Sequence, residues 1–247
     1  MYRSAISSTL HLIQGNKIGE HPIISRCIKG IYVSKPPTPR YQSTWDVSTV
    51  TTYLSSQGPL KDLSLKELTL QTTMLCSLVC AQREQTLCLL DLNNKVMMQD
   101  AIKFVISEHH KTARPGKTLE VFFPTLPANI NLCPMSTLQE YLNRTEPLRH
   151  INGQYSSKVF ISYVKPHKEI TTATLARWIK VVLKLSGIDI TLFKAHSVRS
   201  ASTSALYSKG ANLNEILQMA NWSNEKTFHK FYNRSNNRSV IGRLVLE

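Results

Sequence analysis

The 247-residue chain has no uninterrupted apolar run approaching the ~18–20 residues that a bilayer-spanning helix needs, which excludes that class of membrane protein. Its first residues, Met1-Tyr2-Arg3-Ser4-Ala5-Ile6-Ser7-Ser8-Thr9-Leu10-His11, break any signal-peptide core with polar side chains and offer no cleavage-like site. Cysteine is scarce: the five residues Cys27, Cys76, Cys80, Cys88 and Cys133 are odd in number and contain no CxxC pair. That excludes a disulfide framework and fits a reducing compartment. Cys76 and Cys80 stand one helical turn apart, a spacing a metal accepts, but within Met74-Leu75-Cys76-Ser77-Leu78-Val79-Cys80 they read as buried small hydrophobes. Acidic residues are few, 16 against 30 Lys and Arg. The chain has no HExxH, no clustered DxD and no carboxylates paired at ligand spacing, which argues against a two-metal nuclease and calls for neither metal nor cofactor.

What is present is a globular composition, 42% hydrophobic, carrying a formal charge of +14 and a pI near 9.7. Such a surplus on a body with a core points to a polyanion, either nucleic acid or an acidic membrane surface; the alternative is charge that serves solubility alone. The excess is spread, with six bases and two acids in residues 1–60 and eight and three in 191–247, so a wide basic surface is expected.

The run Lys35-Pro36-Pro37-Thr38-Pro39-Arg40 forbids a continuing helix and divides the chain into a front piece, 1–40, and a main domain, 41–247. The front piece predicts helices near 2–14 and 21–33 around Gly15 and Gly19; two helices do not close a core. In the main domain, Asp46 caps a helix to about Ser55. Ser64-Leu65-Lys66-Glu67 has capping-box spacing and opens a long helix to about Cys80, with Leu65, Leu68, Thr72, Leu75, Leu78 and Val79 near one face. Strands are predicted at 96–98, 102–106 and 118–123, the last two joined by a loop containing His109, His110, Lys111, Arg114 and Lys117. Helices follow near 136–143, 172–185, 196–208, 213–219 and 223–233, with Lys209-Gly210 as a C-cap. The fold class expected is mainly α with a small antiparallel sheet on one edge.

The chemistry concentrates in Ala195-His196-Ser197-Val198-Arg199, Ala220-Asn221-Trp222-Ser223 and Phe228-His229-Lys230-Phe231-Tyr232-Asn233-Arg234. His196 and Arg199, three apart on a helix, project from one side. An imidazole beside a guanidinium is a poor core pair and suits an oxyanion that accepts from both. These blocks, in this order and approximate spacing, together with Gly210-Ala211-Asn212-Leu213-Asn214-Glu215-Ile216, resemble the tyrosine recombinase (phage integrase) family over about residues 43–234. Gln82-Arg83-Glu84-Gln85-Thr86-Leu87 and Thr227-Phe228-His229-Lys230-Phe231-Tyr232-Asn233-Arg234 are most similar to the eukaryotic Crypton and DIRS-type transposon recombinases.

The resemblance implies a recombinase catalytic domain that cleaves and rejoins double-stranded DNA, without metal, through a 3′-phosphotyrosyl link. Tyr232 would attack the phosphorus, Arg83 and Arg199 would clamp its non-bridging oxygens, His196 would accept a proton, and Trp222 would take the place held by His or Trp in relatives. Lys111 would protonate the leaving 5′ oxygen; Lys117 and Arg114 share its loop as alternative phosphate contacts. Charge stabilisation on the equatorial oxygens is what such a displacement needs, and guanidinium supplies it at any useful pH. A tyrosyl ester conserves the bond for religation. Bland readings stand beside these: Arg83 as a helix-terminal cation, and Trp222 and Tyr232 as core aromatics. Many family members carry Glu or Asp three residues after the first arginine, where Thr86 stands here. Residues 1–35 resemble only the last part of the helical core-binding domain that completes the family's DNA clamp. The resemblance further implies a tetramer on two duplexes, no membrane, and a nuclear location if the source is eukaryotic, otherwise cytoplasmic. The tail Ser235–Glu247 would dock in trans or fold back. The alternatives are a non-catalytic DNA-binding descendant and a type IB topoisomerase-like enzyme.

Overall fold

A computed structural model describes residues 2–36, 43–108, 118–151, 153–222 and 224–233. Contacts divide the chain into two units, 1–40 and 41–247. In the first, α1 (Tyr2–Thr9) and α2 (Pro22–Ser34) flank a short turn at Ile18–Glu20. The first helix stops well before the expected residue 14. The Ser8 and Thr9 hydroxyls turn back onto the Ala5 carbonyl, both at 2.9 Å, and compete with continued helix. The chain then reverses at Ile13–Asn16, whose central Gln14 and Gly15 both have positive φ, as a two-residue hairpin requires. Gly19 is the unit's one buried residue among those described: its N–H donates to Ser7 Oγ at 3.0 Å, and Arg3 Nε donates to its carbonyl at 2.8 Å. A Cβ there would meet Ser7 Oγ at 3.0 Å and Arg3 Nε at 3.2 Å, so a larger residue would have to shift both side chains. As two helices without a core, the unit leaves Ile23 and Val33 more than 70% exposed.

The second unit begins with α3 (Val47–Ser55), where Asp46 accepts from Ser48 N–H as expected. Next comes α4 (Leu65–Cys80), opened by a complete capping box: Glu67 N–H donates to Ser64 Oγ, and Ser64 N–H to the Glu67 carboxylate. Helix α4 is the centre of the unit, packed by the helices and strand that follow. It is buried on nearly every side from Leu68 to Leu78, not along one face. Its polar residues reach that environment by bonding locally: the hydroxyls of Thr69, Thr72 and Ser77 donate to carbonyls four residues back, at 2.6–2.7 Å. Gln71 reaches the Asn131 carbonyl at 2.7 Å.

A short helix absent from the sequence reading, α5 (Glu84–Cys88), leads to an antiparallel sheet of β1 (Lys95–Met97), β2 (Ala101–Ile106) and β3 (Leu119–Pro124), in that order. Phe104 stands opposite Val121 and packs edge-on against Phe123 in the core, while Lys103 and Glu120 pair at 2.9 Å on the other face. The loop bearing Lys111, Arg114 and Lys117 lies outside the described residues, as does the tail beyond Asn233.

After α6 (Pro134–Thr145), a hairpin of β4 (His150–Ile151) and β5 (Gln154–Tyr155) is secured by Arg149. That side chain is fully buried and donates to the carbonyls of Lys158 and Val159 and to Thr145 Oγ1. Four helices close the unit: α7 (Thr172–Leu185), α8 (Ser197–Ser208), α9 (Leu213–Met219) and α10 (Glu225–Phe231). Helix α8 is nailed to the front of its unit by Trp45 Nε1, which donates to Ser197 Oγ at 2.9 Å, and to α4 by Ser202 Oγ on the Leu78 carbonyl. The class is therefore mainly α with a small antiparallel sheet.

Two substitutions grade this framework. Leu68→Ala, at a site with no exposure, should cost about 2–5 kcal/mol, and Ser64→Ala about 1 kcal/mol for one half of the capping box. Urea unfolding midpoints at constant slope measure both; equal losses would contradict the central burial of α4.

Candidate active site

The site forms where α4 ends, α8 begins and α9 ends. Helix α4 is terminated by Ala81 in the left-handed region, φ 45°, which throws Gln82 and Arg83 out of the helical path. A second left-handed residue, Asn221 at φ 50°, follows α9 and aims Trp222. The two turns are tied together through the carbonyls at the end of α9. Gln82 Nε2 donates to the Met219 carbonyl, at 2.5 Å, and Arg199 Nη2 donates to the Ala220 carbonyl. A helix C-terminus is a natural seat for a cation.

Arg199 is 2% exposed, yet among the described residues its Nε and Nη1 have no hydrogen-bond partner. Its guanidinium lies 4.5 Å from the centre of the Trp222 ring and 5.5 Å from that of Tyr232. Burial, partly offset by the nearby Tyr232 and worsened by the positive charge of Arg83, brings its pKa down to about 10. It stays charged at neutral pH with two donors unused. Arg83 is the N-cap residue of α5 and is half-buried, close enough for its charge to act on Arg199.

The Tyr232 ring stacks on Trp222 at 4.2 Å between centres, tilted by 37°, and its hydroxyl sits 3.3 Å from His196 Nε2. Phe228, fully buried, backs Trp222 at 5.9 Å. On the far side of the imidazole, His196 Nδ1 stands 3.9 Å from a Glu84 carboxylate oxygen. Burial alone would raise the Glu84 pKa, but the adjacent His196, its own backbone N–H and the charge of Arg199 outweigh it and hold the group below its ordinary value.

The arrangement is a phenol with an imidazole on its hydroxyl, a carboxylate behind the imidazole, and two guanidinium groups nearby. It can present charge-assisted donors to an oxyanion while an imidazole takes the phenolic proton.

The pattern of the phage integrase family matches residues 58–238. The chain belongs to the phage integrase family. The members of this family, the tyrosine recombinases, break and rejoin DNA. Solved tyrosine recombinases share the fold. A XerH site-specific recombinase bound to its difH substrate in a pre-cleavage complex superposes with a TM-score of 0.59 at 14% identity, over 100% of this chain and 68% of that one. A XerA recombinase gives 0.57 at 14% identity, over 91% and 73%. A lambda integrase dimer bound to a COC′ core site gives 0.51 at 15% identity, over 96% and 59%. No curated protein sequence matches the chain.

Of the six residues that the recombinase resemblance singles out, Arg83, His196, Arg199, Trp222 and Tyr232 come together in one place; Lys111 lies outside the described residues. Cys76 and Cys80 are buried in α4, with desolvation raising both thiols. The sequence does not single out Glu84. The family pattern has its acidic residue where Thr86 stands, which is buried, whereas the carboxylate that reaches the imidazole is two positions earlier. The signal was the first residue of a five-residue helix that periodicity does not detect in so short a span.

Glu84 titrates lower in the folded chain than in the unfolded one. Its contribution to stability is therefore complete above its ordinary value of 4.5 and lost as pH falls through the folded value. Glu84→Gln should flatten the decline of the thermal midpoint below about pH 4.5. A variant that follows the parent over that range would show that the carboxylate is not engaged.

Proposed function

We propose that this chain cleaves and rejoins double-stranded DNA through a covalent 3′-phosphotyrosyl intermediate, in the site-specific recombination of a mobile element. The observation that carries the reading is Arg199: a nearly buried guanidinium with two unpartnered nitrogens, over which the rings of Trp222 and Tyr232 are laid. A buried donor left unpaired is costly, and a phosphate oxygen is the acceptor that relieves it.

In this reading Arg83 and Arg199 hold the two non-bridging oxygens and stabilise the charge that builds on them. His196, 3.3 Å from the phenol, takes its proton as the oxygen attacks phosphorus, and Glu84 keeps the imidazole oriented. The bond to the 5′ oxygen breaks and that oxygen receives a proton, in the role assigned to Lys111. Attack by a 5′ hydroxyl on the tyrosyl ester then reverses the sequence, and the phenol regains its proton. Trp222 shields one side of the phosphate site and fixes the ring of Tyr232 by stacking. Neither a metal nor water is a reactant in these steps.

The wider setting rests on the motifs. The Gln82–Leu87 and Thr227–Arg234 patterns support a transposon-type recombinase of the Crypton or DIRS kind, and with it a nuclear location. Residues 1–40, two helices with exposed apolar side chains, read as part of a clamp that closes on DNA. A tetramer on two duplexes follows from the same resemblance.

The test uses a pool of nicked duplexes with randomised cores, which trap covalent adducts on a denaturing gel. The parent chain should form an adduct. Tyr232→Phe should form none while binding DNA with unchanged affinity, and Arg199→Lys should slow adduct formation on the order of 100-fold, since an ammonium cannot reproduce the planar fork. DNA binding with no adduct from the parent chain would instead assign a non-catalytic DNA-binding role.

A further inference from the structure

Helix α8 carries five buried hydroxyls, and three of them serve the framework: Ser197 accepts from Trp45, Ser202 donates to the Leu78 carbonyl, and Thr203 donates to the Arg199 carbonyl within the helix. The other two do something different. Ser200 and Ser204, 3% and 5% exposed and one turn apart on the same face, both donate to one acceptor, the main-chain carbonyl of Tyr232. The Ser200 bond is 3.2 Å.

We infer that Ser200 and Ser204 are positioning residues, a two-hydroxyl latch that holds the Tyr232 phenol in the phosphate site of its own chain. The inference rests on the reading of Tyr232 as the nucleophile. Tyr232 follows the last residue of α10, and its N–H closes onto the Phe228 carbonyl at 2.8 Å. Its own carbonyl belongs to the helix end that has no partner within the helix. A helix of seven residues is too short to fix that end by itself. The latch supplies both acceptor positions of the carbonyl with donors from the helix that also carries Arg199, and whose N-cap is His196. Phosphate clamp, proton acceptor and nucleophile are thereby referred to one rigid element. With the carbonyl held by α8, the ring by Trp222 and the hydroxyl by His196, Tyr232 is constrained at three points. Losing the first leaves a residue on a frayed helix end, and a displacement of ~1 Å at a reacting atom costs on the order of 100-fold in rate.

The chain is labelled with 3-fluorotyrosine, and the Tyr232 fluorine line is assigned by its disappearance in Tyr232→Phe. Ser200→Ala with Ser204→Ala should narrow that line and move it toward the position of free fluorotyrosine. Adduct formation with the nicked pool should fall about tenfold or more, with DNA affinity unchanged. Each single substitution should act in the same direction, which keeps the test decisive if the double variant does not fold. Ser202→Ala, which removes a framework hydroxyl, should lower the thermal midpoint and leave the fluorine line in place. An unmoved line in the serine variants, or one that Ser202→Ala moves equally, overturns the latch. The line is read without turnover, so absence of adduct from the parent chain would refute the nucleophile reading while the fluorine result still decides whether the serines hold the tyrosine.

Discussion

The burial of the Arg199 guanidinium is the constraint from which the rest of the site follows. Removing a permanent cation from water is expensive, and among the described residues only one of its three nitrogens has a protein acceptor. The remaining compensation is indirect: the π-faces of Trp222 and Tyr232, the carboxylate of Glu84, and the negative end of α9. Arg83 acts in the opposite sense, since its positive charge makes the Arg199 cation harder to keep. The two arginines therefore oppose each other until an anion lies between them. A core designed for stability alone would not contain this pair, whereas a site that gains most when a phosphate arrives would.

The backbone pays for this geometry in two places. Ala81 and Asn221 occupy left-handed conformations that cost ~1 kcal/mol in a residue with a side chain, and each stands directly before a segment that supplies site residues. The turns hold because each is tied across to the other through α9's terminal carbonyls. Helix α4 provides the anchorage: being buried nearly all round, it cannot shift without opening the core, so the point where it releases the chain toward Gln82 and Arg83 is fixed.

Much of this was legible in advance. Asp46, Ser64 and Glu67 announce helix starts because capping is a local hydrogen bond among neighbours in sequence, and the strands around Phe104 and Val121 are short β-branched and aromatic runs. The first helix is shorter than its apolar residues suggest, because Leu10, Leu12 and Ile13 continue a helical pattern that the Ser8 and Thr9 hydroxyls and the turn at Gln14–Gly15 interrupt. The all-round burial of α4 is hidden because Thr69, Gln71, Thr73 and Ser77 count as polar when read singly, although the Thr69 and Ser77 hydroxyls are satisfied by the helix's own carbonyls. The left-handed turns were hidden because neither is glycine.

The sequence by itself determined the helix starts near their caps and the excess of positive charge, and it grouped the candidate site side chains in a few short blocks. These depend on side-chain chemistry and on spacings of two to four residues. Only the tertiary structure decided which groups meet: that Glu84 and not the residue at position 86 supports His196, that Arg199 is left with unpaired nitrogens, and that two serines of α8 grip the carbonyl of Tyr232. The reason is that each of those contacts joins segments separated by between 28 and 112 residues, or leaves a group without a contact. Both outcomes are set by how the whole core packs, which no local pattern encodes.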